Sequence, residues 1–598
     1  MNLTEVRLEM RSKRLRRVDD ALKTVAAKPL AIGCARYRSK LLVPLLALLT
    51  LAIIAGLPTA QAAPPIPQIV RTGSRYQLMV DGKPFLMLSG QAHNSSADSP
   101  QDLAPVWNSL VVVHANTAEV PIYWSLMEPQ PGHFDFHFID NVIQGARDHG
   151  LRLVLLWFGS FKNGNMDYTP DWVKENPQKY VRVRNFYGQP IDVISPLCAA
   201  CLQADENAFS AVMAHIKSFD AEQRTVIMMQ VENETGMHGS DRDYSPEATR
   251  LYNSTVPAVL MQYLESHRTG LMPALAAAWA ASGHRASGTW AELFGNLAPE
   301  AFSAYYVARY VDGVAAAGKK AYALPMYCNN WLAGGGQARA GEWPSGGPSV
   351  HVLDIWKAAA PDINVLSPDI YSPKFLETAA AFHRPDNPLF VPETAAIPSY
   401  APYAYAVFAE FNGIGFSPFG IDRLIENGSL TPEGHALADT YGVLEPLLPL
   451  IEKDQYTRRL HAVVEGAEMT EAIPLNDKLA AVVHFNEPPT AGRAAYRGGG
   501  IIIELAPLDY IVAGSGFRVD FRELQGAPGN AQIESLEEGT FRGEAWVAEH
   551  VLNGDEFHVS LGRPVFPGFA PPAQSDVFRR EAPRVLRVRL ENAVASSP

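Results

Sequence analysis

Thr225-Val-Ile-Met-Met-Gln-Val231 runs straight into Glu232-Asn233-Glu234. An apolar run of this length, with no polar alternation, reads as a strand covered on both faces, as in parallel sheets. Its end in carboxylates places ionisable groups where such a strand meets solvent. Working outward, further strand-length runs occur at Phe85–Ser89, Thr117–Ile122, Arg152–Trp157, Ala323–Tyr327, Asn364–Asp369, Leu389–Pro392 and Gly415–Pro418. Stretches of helical periodicity lie between them, near Asp102–Leu110, Phe138–His149, Glu206–Phe219, Pro299–Ala317, Val350–Ala360, Phe375–Ala381, Ala401–Phe411 and Glu433–Leu448. Eight strands alternating with eight helices predict an α/β fold, a (β/α)8 TIM barrel, with its longest insertion in the fourth unit from Gly236 to about Trp290.

At 598 residues, 47% apolar and 19% charged, the chain exceeds one ordinary domain. Beyond residue 452 the pattern becomes short runs, such as Lys478–Phe485, Gly500–Leu505 and Val585–Leu590, separated by Gly, Pro and Asn turns. These predict an all-β, sandwich-like domain over 453–598 behind a barrel domain over 63–452.

Residues 1–62 read as a basic leader and signal peptide. Leu41–Leu57 is an uncharged apolar run preceded by Arg and Lys residues and followed by Ala60-Gln61-Ala62, a small-residue cleavage site. An uncleaved anchor is the rival, since the run sits at the short limit for spanning a bilayer. The expectation is export to the periplasm or medium with cleavage after Ala62. Without the leader the chain carries 39 basic and 59 acidic side chains, a formal charge of −20. Such a surface repels nucleic acid and suits a neutral partner. Cys198-Ala-Ala-Cys201 lacks the further ligands a zinc site needs, and an incidental pair or local disulfide is the expectation, leaving Cys328 over.

Barrel enzymes place their chemistry at the C-terminal ends of strands. The fourth strand runs into Glu234 and the seventh into Glu393, so both carboxylates should overlook the barrel mouth. Retaining glycoside hydrolysis needs such a pair, one acid to protonate the leaving oxygen and one carboxylate to attack the anomeric carbon. Strand alternation puts Glu232 and Glu234 on one side and does not choose between them.

The choice comes from resemblance. Asn233-Glu234 resembles the Asn-Glu pair ending the fourth strand of retaining (β/α)8 glycosidases, which implies Glu234 as acid/base, Asn233 as ligand of the sugar 2-hydroxyl, and a nucleophile at the end of the seventh strand, where Glu393 stands. Gln230-Val-Glu-Asn-Glu-Thr-Gly236, Leu88-Ser-Gly-Gln-Ala-His93 and Trp124-Ser-Leu-Met-Glu-Pro-Gln-Pro-Gly-His-Phe-Asp-Phe136 are similar to motifs of glycoside hydrolase family 35, the β-galactosidases. The resemblance spans about residues 75–440. It implies an exo-enzyme that releases terminal β-D-galactose from oligo- or polysaccharides, with plant cell-wall side chains as one candidate source, by double displacement. It needs no metal and no organic cofactor. The chain departs from the family at Pro121, at Ser125-Leu-Met127, at Asn94-Ser95-Ser96, and at Leu156–Asn163, which replaces the third-strand box. Galactose recognition is therefore less firmly implied than catalysis, and action on an α-L-arabinopyranoside or a β-glucoside, or carbohydrate binding without turnover, stay as alternatives.

Tyr123, Trp124, Trp157, Trp331 and Tyr371 lie near strand ends and are candidates for sugar-stacking walls or for core. Trp157 and Tyr371 lead because they sit at strand termini. Asn329, Asn330 and Asp369 offer hydrogen bonds to hydroxyls, and Lys162 and Asn163 stand where the third-strand box is missing. Glu128 is expected to fix its Pro- and Gly-rich loop, and His133 and His137 to be structural.

Overall fold

The structure, a computed structural model, describes residues 64–333, 337–485, 497–524, 531–552 and 583–591. The leader, the cleavage position after Ala62 and the rival anchor all lie outside the described residues. Among the described residues no helix is long and apolar enough to cross a membrane.

Eight parallel strands close into a barrel in chain order: β1 (Met87–Gln91), β2 (Thr117–Tyr123), β3 (Arg152–Lys162), β4 (Val226–Asn233), β5 (Met326–Trp331), β6 (Val365–Ile370), β7 (Phe390–Ala395) and β8 (Gly415–Phe419). Every residue of β2, β4 and β6 is buried, which is why these runs carry no polar alternation. Helices cover the outside, and their start and stop signals are local. Ser99 caps Pro100–Val112 by accepting from the Asp102 N–H, and Thr431 caps Pro432–Leu444 by accepting from Gly434, each with proline just inside the start. His137–Asp148 buries Ile139, Val142, Ile143 and Ala146, one stripe of a 3.6-residue period. Full burial of each Ile or Val there contributes roughly 1.5–3 kcal/mol.

The expected barrel is present, with its strands displaced by a few residues at most. β1 begins at Met87 rather than Phe85, because the Phe85 N–H is taken by the Leu78 carbonyl of a small antiparallel sheet that precedes the barrel. That sheet, Gln68–Thr72, Arg75–Val80 and Lys83–Pro84, was not anticipated. Its second turn is Asp81-Gly82, both with positive φ, the conformation a two-residue hairpin requires. The insertion after β4 folds into short helices, Pro246–Tyr252, Ala258–Ser266, Pro273–Ala281 and Trp290–Phe294.

The last helix of the barrel region is Leu448–Asp454, and antiparallel sheet begins at Leu460. A six-stranded sheet runs in the spatial order Leu460–Val464, Gly499–Ala506, Asp509–Ser515, Arg584–Leu590, Ile533–Arg542, Ala545–Leu552. A three-stranded sheet holds Thr470–Pro474, Leu479–Phe485 and Phe517–Glu523. Val483, Phe517 and Val519 of the small sheet share one apolar core with Ile502, Val512 and Val588 of the large one. Ile501 and Ile503 face the opposite way and join the barrel's core. The triple isoleucine is thus explained by a strand covered on both faces. A disulfide joins Cys198 to Cys201 at the start of helix Ala199–Asp220, and Cys328 is a buried free thiol.

Candidate active site

Glu234 directly follows β4 and is nearly buried at the barrel mouth. Strand regularity fails just before it. Glu232 and Glu234 have φ of 63° and 44°, a left-handed conformation that costs a non-glycine residue roughly 1–3 kcal/mol. Neighbouring groups hold this backbone on both sides. The Asn329 side-chain oxygen accepts from the Glu234 N–H at 2.8 Å, the Glu234 carbonyl accepts from Gly164 N–H at 2.9 Å, and the Asn233 carbonyl accepts from Asn163 N–H at 3.1 Å. Alternation left Glu232 and Glu234 on one side, whereas the kinked backbone gives them different surroundings. Glu232 is fully buried, its Oε2 accepting from the Phe161 N–H at 2.7 Å.

β3 supplies that donor by leaving register. Trp157 pairs with Val231 and the next pairing is Lys162 with Asn233, so residues 158–161 bulge opposite Glu232. A bulge beside a site re-aims side chains, and this one delivers Lys162 and Asn163 to the mouth. The Lys162 ammonium donates to Asn163 Oδ1 at 2.6 Å and lies 4.8 Å from the centre of the Phe158 ring. The place of the absent third-strand box is thus taken by a buried amine.

Glu393 lies in β7, nearly buried, with both oxygens hydrogen-bonded. The Tyr371 hydroxyl donates to Oε1 at 2.6 Å and the Gln91 amide to Oε2 at 3.1 Å. Asp369 pairs in register with Glu393 across β6 and β7, takes a hydrogen bond from Asn329 Nδ2 at 2.8 Å, and is in hydrogen-bond contact with the Glu234 carboxyl. Three carboxyl groups, Glu234, Asp369 and Glu393, therefore meet one amine, Lys162.

Such crowding out of water disfavours negative charge. Burial, then the neighbouring Glu393, push the Glu234 carboxyl up to about 8, with Lys162 and the Asp369 contact pulling the other way. Asp369 is driven well above the ordinary carboxylate range by burial first, then by Glu393 and Glu234. Deeper in the barrel, burial also pushes Glu119 of β2 up to about 8, and its Oε2 accepts from the Tyr327 hydroxyl at 3.1 Å.

The other candidates divide. Tyr371 stands at the mouth, its ring exposed and its hydroxyl on Glu393. Asn233 is fully buried, with Oδ1 accepting from Gln230 and Asn329 and Nδ2 donating to Asn163. Trp331 ends β5, half-buried, its ring stacked 6.0 Å from His238. Asn330 is buried and accepts from the Ser349 hydroxyl.

Two aromatic candidates are corrected. Trp157 faces the helix layer, fully buried against Phe209 with its indole N–H on Asp205 at 2.9 Å, and cannot wall a sugar site. Tyr123 is buried too, stacked on Tyr168 with its hydroxyl donating to the Asn94 carbonyl. A strand residue's terminal position says nothing about which face it presents. Trp124 is likewise core, and Glu128 fixes its loop as expected, accepting from the Trp124 indole at 2.8 Å and the Gly132 N–H at 2.7 Å. His137 lies on the surface, its ring nitrogen 2.9 Å from Asp135.

Sequence reasoning missed Gln91 as a partner of Glu393, although it ends β1 and the end-of-strand rule could have found it. It also missed Asp205. Its signal was a charged residue on the buried face of a helix, between Cys201 and Phe209.

A model described as Glycosyl hydrolases family 35 matches residues 77–278, and one described as Domain of unknown function (DUF5597) matches residues 437–562. A Beta-galactosidase of Xanthomonas manihotis is 28% identical over 217 residues, 35% of this chain and 33% of that protein. Beta-galactosidase 14 of Arabidopsis thaliana is 26% identical over 117 residues, 18% of this chain and 12% of that protein. The matched region thus spans about a third of the first relative and less of the second. A crystal structure of a β-galactosidase from Bacillus circulans sp. alkalophilus aligns with a TM-score of 0.41 at 15% identity, covering 60% of this chain and 56% of that one. The chain contains a glycosyl hydrolase family 35 domain, with distant relatives named β-galactosidase, and behind it a DUF5597 domain.

Proposed function

We propose that the chain is a retaining exo-β-galactosidase that releases terminal β-D-galactose from oligo- or polysaccharides, with Glu393 as nucleophile and Glu234 as acid/base. The observation that carries this reading is the pairing at one mouth of a carboxyl pushed up to about 8, Glu234, with a carboxyl whose two oxygens both receive donors, Glu393. Retaining hydrolysis asks for that division of labour.

In the first step a Glu393 oxygen attacks the anomeric carbon while Glu234 gives its proton to the departing oxygen, leaving a galactosyl ester on Glu393. The ester carries no negative charge, so one of the two causes that raise Glu234 is gone. Glu234 then becomes the stronger acid and, as carboxylate, can take a proton from the water that opens the ester. The Tyr371 and Gln91 donors aim the attacking carboxylate before the sugar arrives, which lowers the reorganisation needed in the transition state.

The test is Glu393→Gly assayed on an aryl β-galactoside with and without azide. The expected result is loss of turnover, partly restored by azide with formation of the α-galactosyl azide. Turnover at the wild-type rate without azide removes Glu393 as nucleophile. Aryl β-glucoside and α-L-arabinopyranoside in the same panel decide the sugar, where the chain departs from its family at Pro121, Ser125-Leu-Met127 and the third-strand box.

A further inference from the structure

Two acids behind β4 take no part in the chemistry above. Asp205, from helix Ala199–Asp220, and Glu232 are both fully buried, and their carboxyls are in hydrogen-bond contact. Their donors can be counted. Asp205 receives the Trp157 indole N–H at 2.9 Å on Oδ1 and the Ser160 hydroxyl at 2.6 Å on Oδ2, with the Tyr310 hydroxyl 2.7 Å behind Ser160. Glu232 receives the Phe161 N–H at 2.7 Å on Oε2, the Ser160 N–H approaches both carboxyls, and Oε1 is left without a hydrogen-bond partner among the described residues. Among the described residues, the titratable groups that face the pair are Tyr310, Glu206 and Cys328, none of them a cation. Two anionic carboxylates in contact, with no cation beside them, would be a large uncompensated buried charge. One proton between them removes half of that charge and supplies the missing donor. Burial raises both acids, Glu232 well above the carboxylate range, in agreement with that count.

The pair also sits where backbone must be held. Glu232 and Glu234 flank Asn233 in left-handed conformation, and the Glu232 side chain ties this kink to the β3 bulge through Phe161 and to the helix through Asp205. Gly159 leaves room for the contact. A Cβ there would come within 2.7 Å of Glu232 Oε1 and 3.0 Å of Asp205 Oδ1. Without these ties the strand end keeps only its holds from Asn329, Asn163 and Gly164, and any relaxation toward extended backbone turns Glu234 away from its present aim.

We propose that Glu232 and Asp205 hold one proton between them and that this link positions the acid/base Glu234. Both are positioning residues, and the proposal rests on the reading of Glu234 as the group that protonates the leaving oxygen. In Glu232→Gln the amide supplies a permanent N–H toward Asp205 while its carbonyl still accepts from Phe161. Glu232→Ala removes both links.

The experiment compares two substrates. Phenyl β-galactoside needs its leaving oxygen protonated, whereas 2,4-dinitrophenyl β-galactoside releases a phenolate that departs unaided. For Glu232→Ala, kcat/KM on the phenyl substrate is expected to fall by about 100-fold, with a much smaller loss on the dinitrophenyl one. Glu232→Gln is expected to stay near wild type on both. The melting temperature against pH is an independent readout. A pair that binds its proton more tightly folded than unfolded contributes fully at acid pH, and that contribution is lost as pH rises from the unfolded carboxylate range through the folded value. Wild type should therefore lose more thermal stability than Glu232→Gln between pH 5 and 9, a span of about four units chosen to bracket that loss. Equal losses on both substrates in Glu232→Ala, a Glu232→Gln variant as damaged as Glu232→Ala, or parallel melting curves overturn the proposal. If wild type turns over neither galactoside, the galactosidase reading fails instead, and the melting curves still decide whether the proton is shared.

Discussion

Two acid clusters lie on either side of the same strand end, and they differ in surroundings. At the mouth, Glu234, Asp369 and Glu393 meet Lys162, with Tyr371 and Gln91 donating to Glu393. Behind β4, Glu232 and Asp205 face a tyrosine, a thiol and another carboxyl, with Trp157, Ser160 and Phe161 as donors. Burial raises Glu234 and Asp369 at the mouth and Glu232 and Asp205 behind it, so a raised carboxyl does not by itself mark chemistry. What separates the clusters is access. Glu234 and Glu393 keep some exposure at the C-terminal ends of β4 and β7, whereas Glu232 and Asp205 are fully buried between strand, helix and bulge.

One substitution made on both sides of Asn233 should therefore give opposite results. Glu234→Gln is expected to lower kcat/KM on phenyl β-galactoside by about 100- to 10,000-fold, the range for losing a general acid. The same change at Glu232 should leave that rate near wild type. Comparable damage at the two positions would erase the distinction between a reacting cluster and a supporting one. A smaller effect is expected at Tyr371. Tyr371→Phe keeps the ring at the rim and removes one donor from the Glu393 carboxylate, which for a hydrogen bond to a charged group is about 1.5–3 kcal/mol, or roughly 10- to 100-fold in kcat. An unchanged kcat would mean that the hydroxyl does not aim the nucleophile.

The rear cluster is best strained through Gly159. A methyl group there must push against Glu232, Asp205 and the Trp157 indole at once. Overpacking of this kind typically costs about 1–3 kcal/mol, so Gly159→Ala should unfold at lower urea concentration with its slope unchanged. Wild-type stability would show that the pocket can open without cost.

The barrel was legible because parallel strands covered on both faces leave unbroken apolar runs, and each of the eight runs overlaps a barrel strand, the fifth only at Met326 and Tyr327. The second domain was legible for the related reason that its strands are separated by Gly, Pro and Asn. Glu393 could be assigned because strand ends are countable, whereas Glu234 needed its motif's resemblance in addition to its strand position. Facing was not legible for Trp157 and Tyr123, since one step along a strand reverses it and no local signal announces the reversal. The separation of Glu232 from Glu234 was hidden for another reason. It depends on two left-handed residues and a bulge in β3, held by Asn329, Asn163 and Phe161 from distant parts of the chain. Asp205 was hidden because one acid in an amphipathic helix is ordinarily assigned to the surface.

The smallest effect concerns Lys162, the only amine at the mouth in the hydrogen-bonding and charge relations described. Its charge pulls Glu234 down against burial and Glu393, which push it up to about 8. The alkaline limb of kcat/KM reports loss of the free enzyme's essential acid, so it should fall near that value. In Lys162→Met the downward pull is gone and the upward ones remain. The limb should therefore move to higher pH, with the acid limb displaced much less. A limb that moves down, or stays fixed while kcat/KM collapses at every pH, would mean that Lys162 acts mainly on substrate rather than on the proton of Glu234.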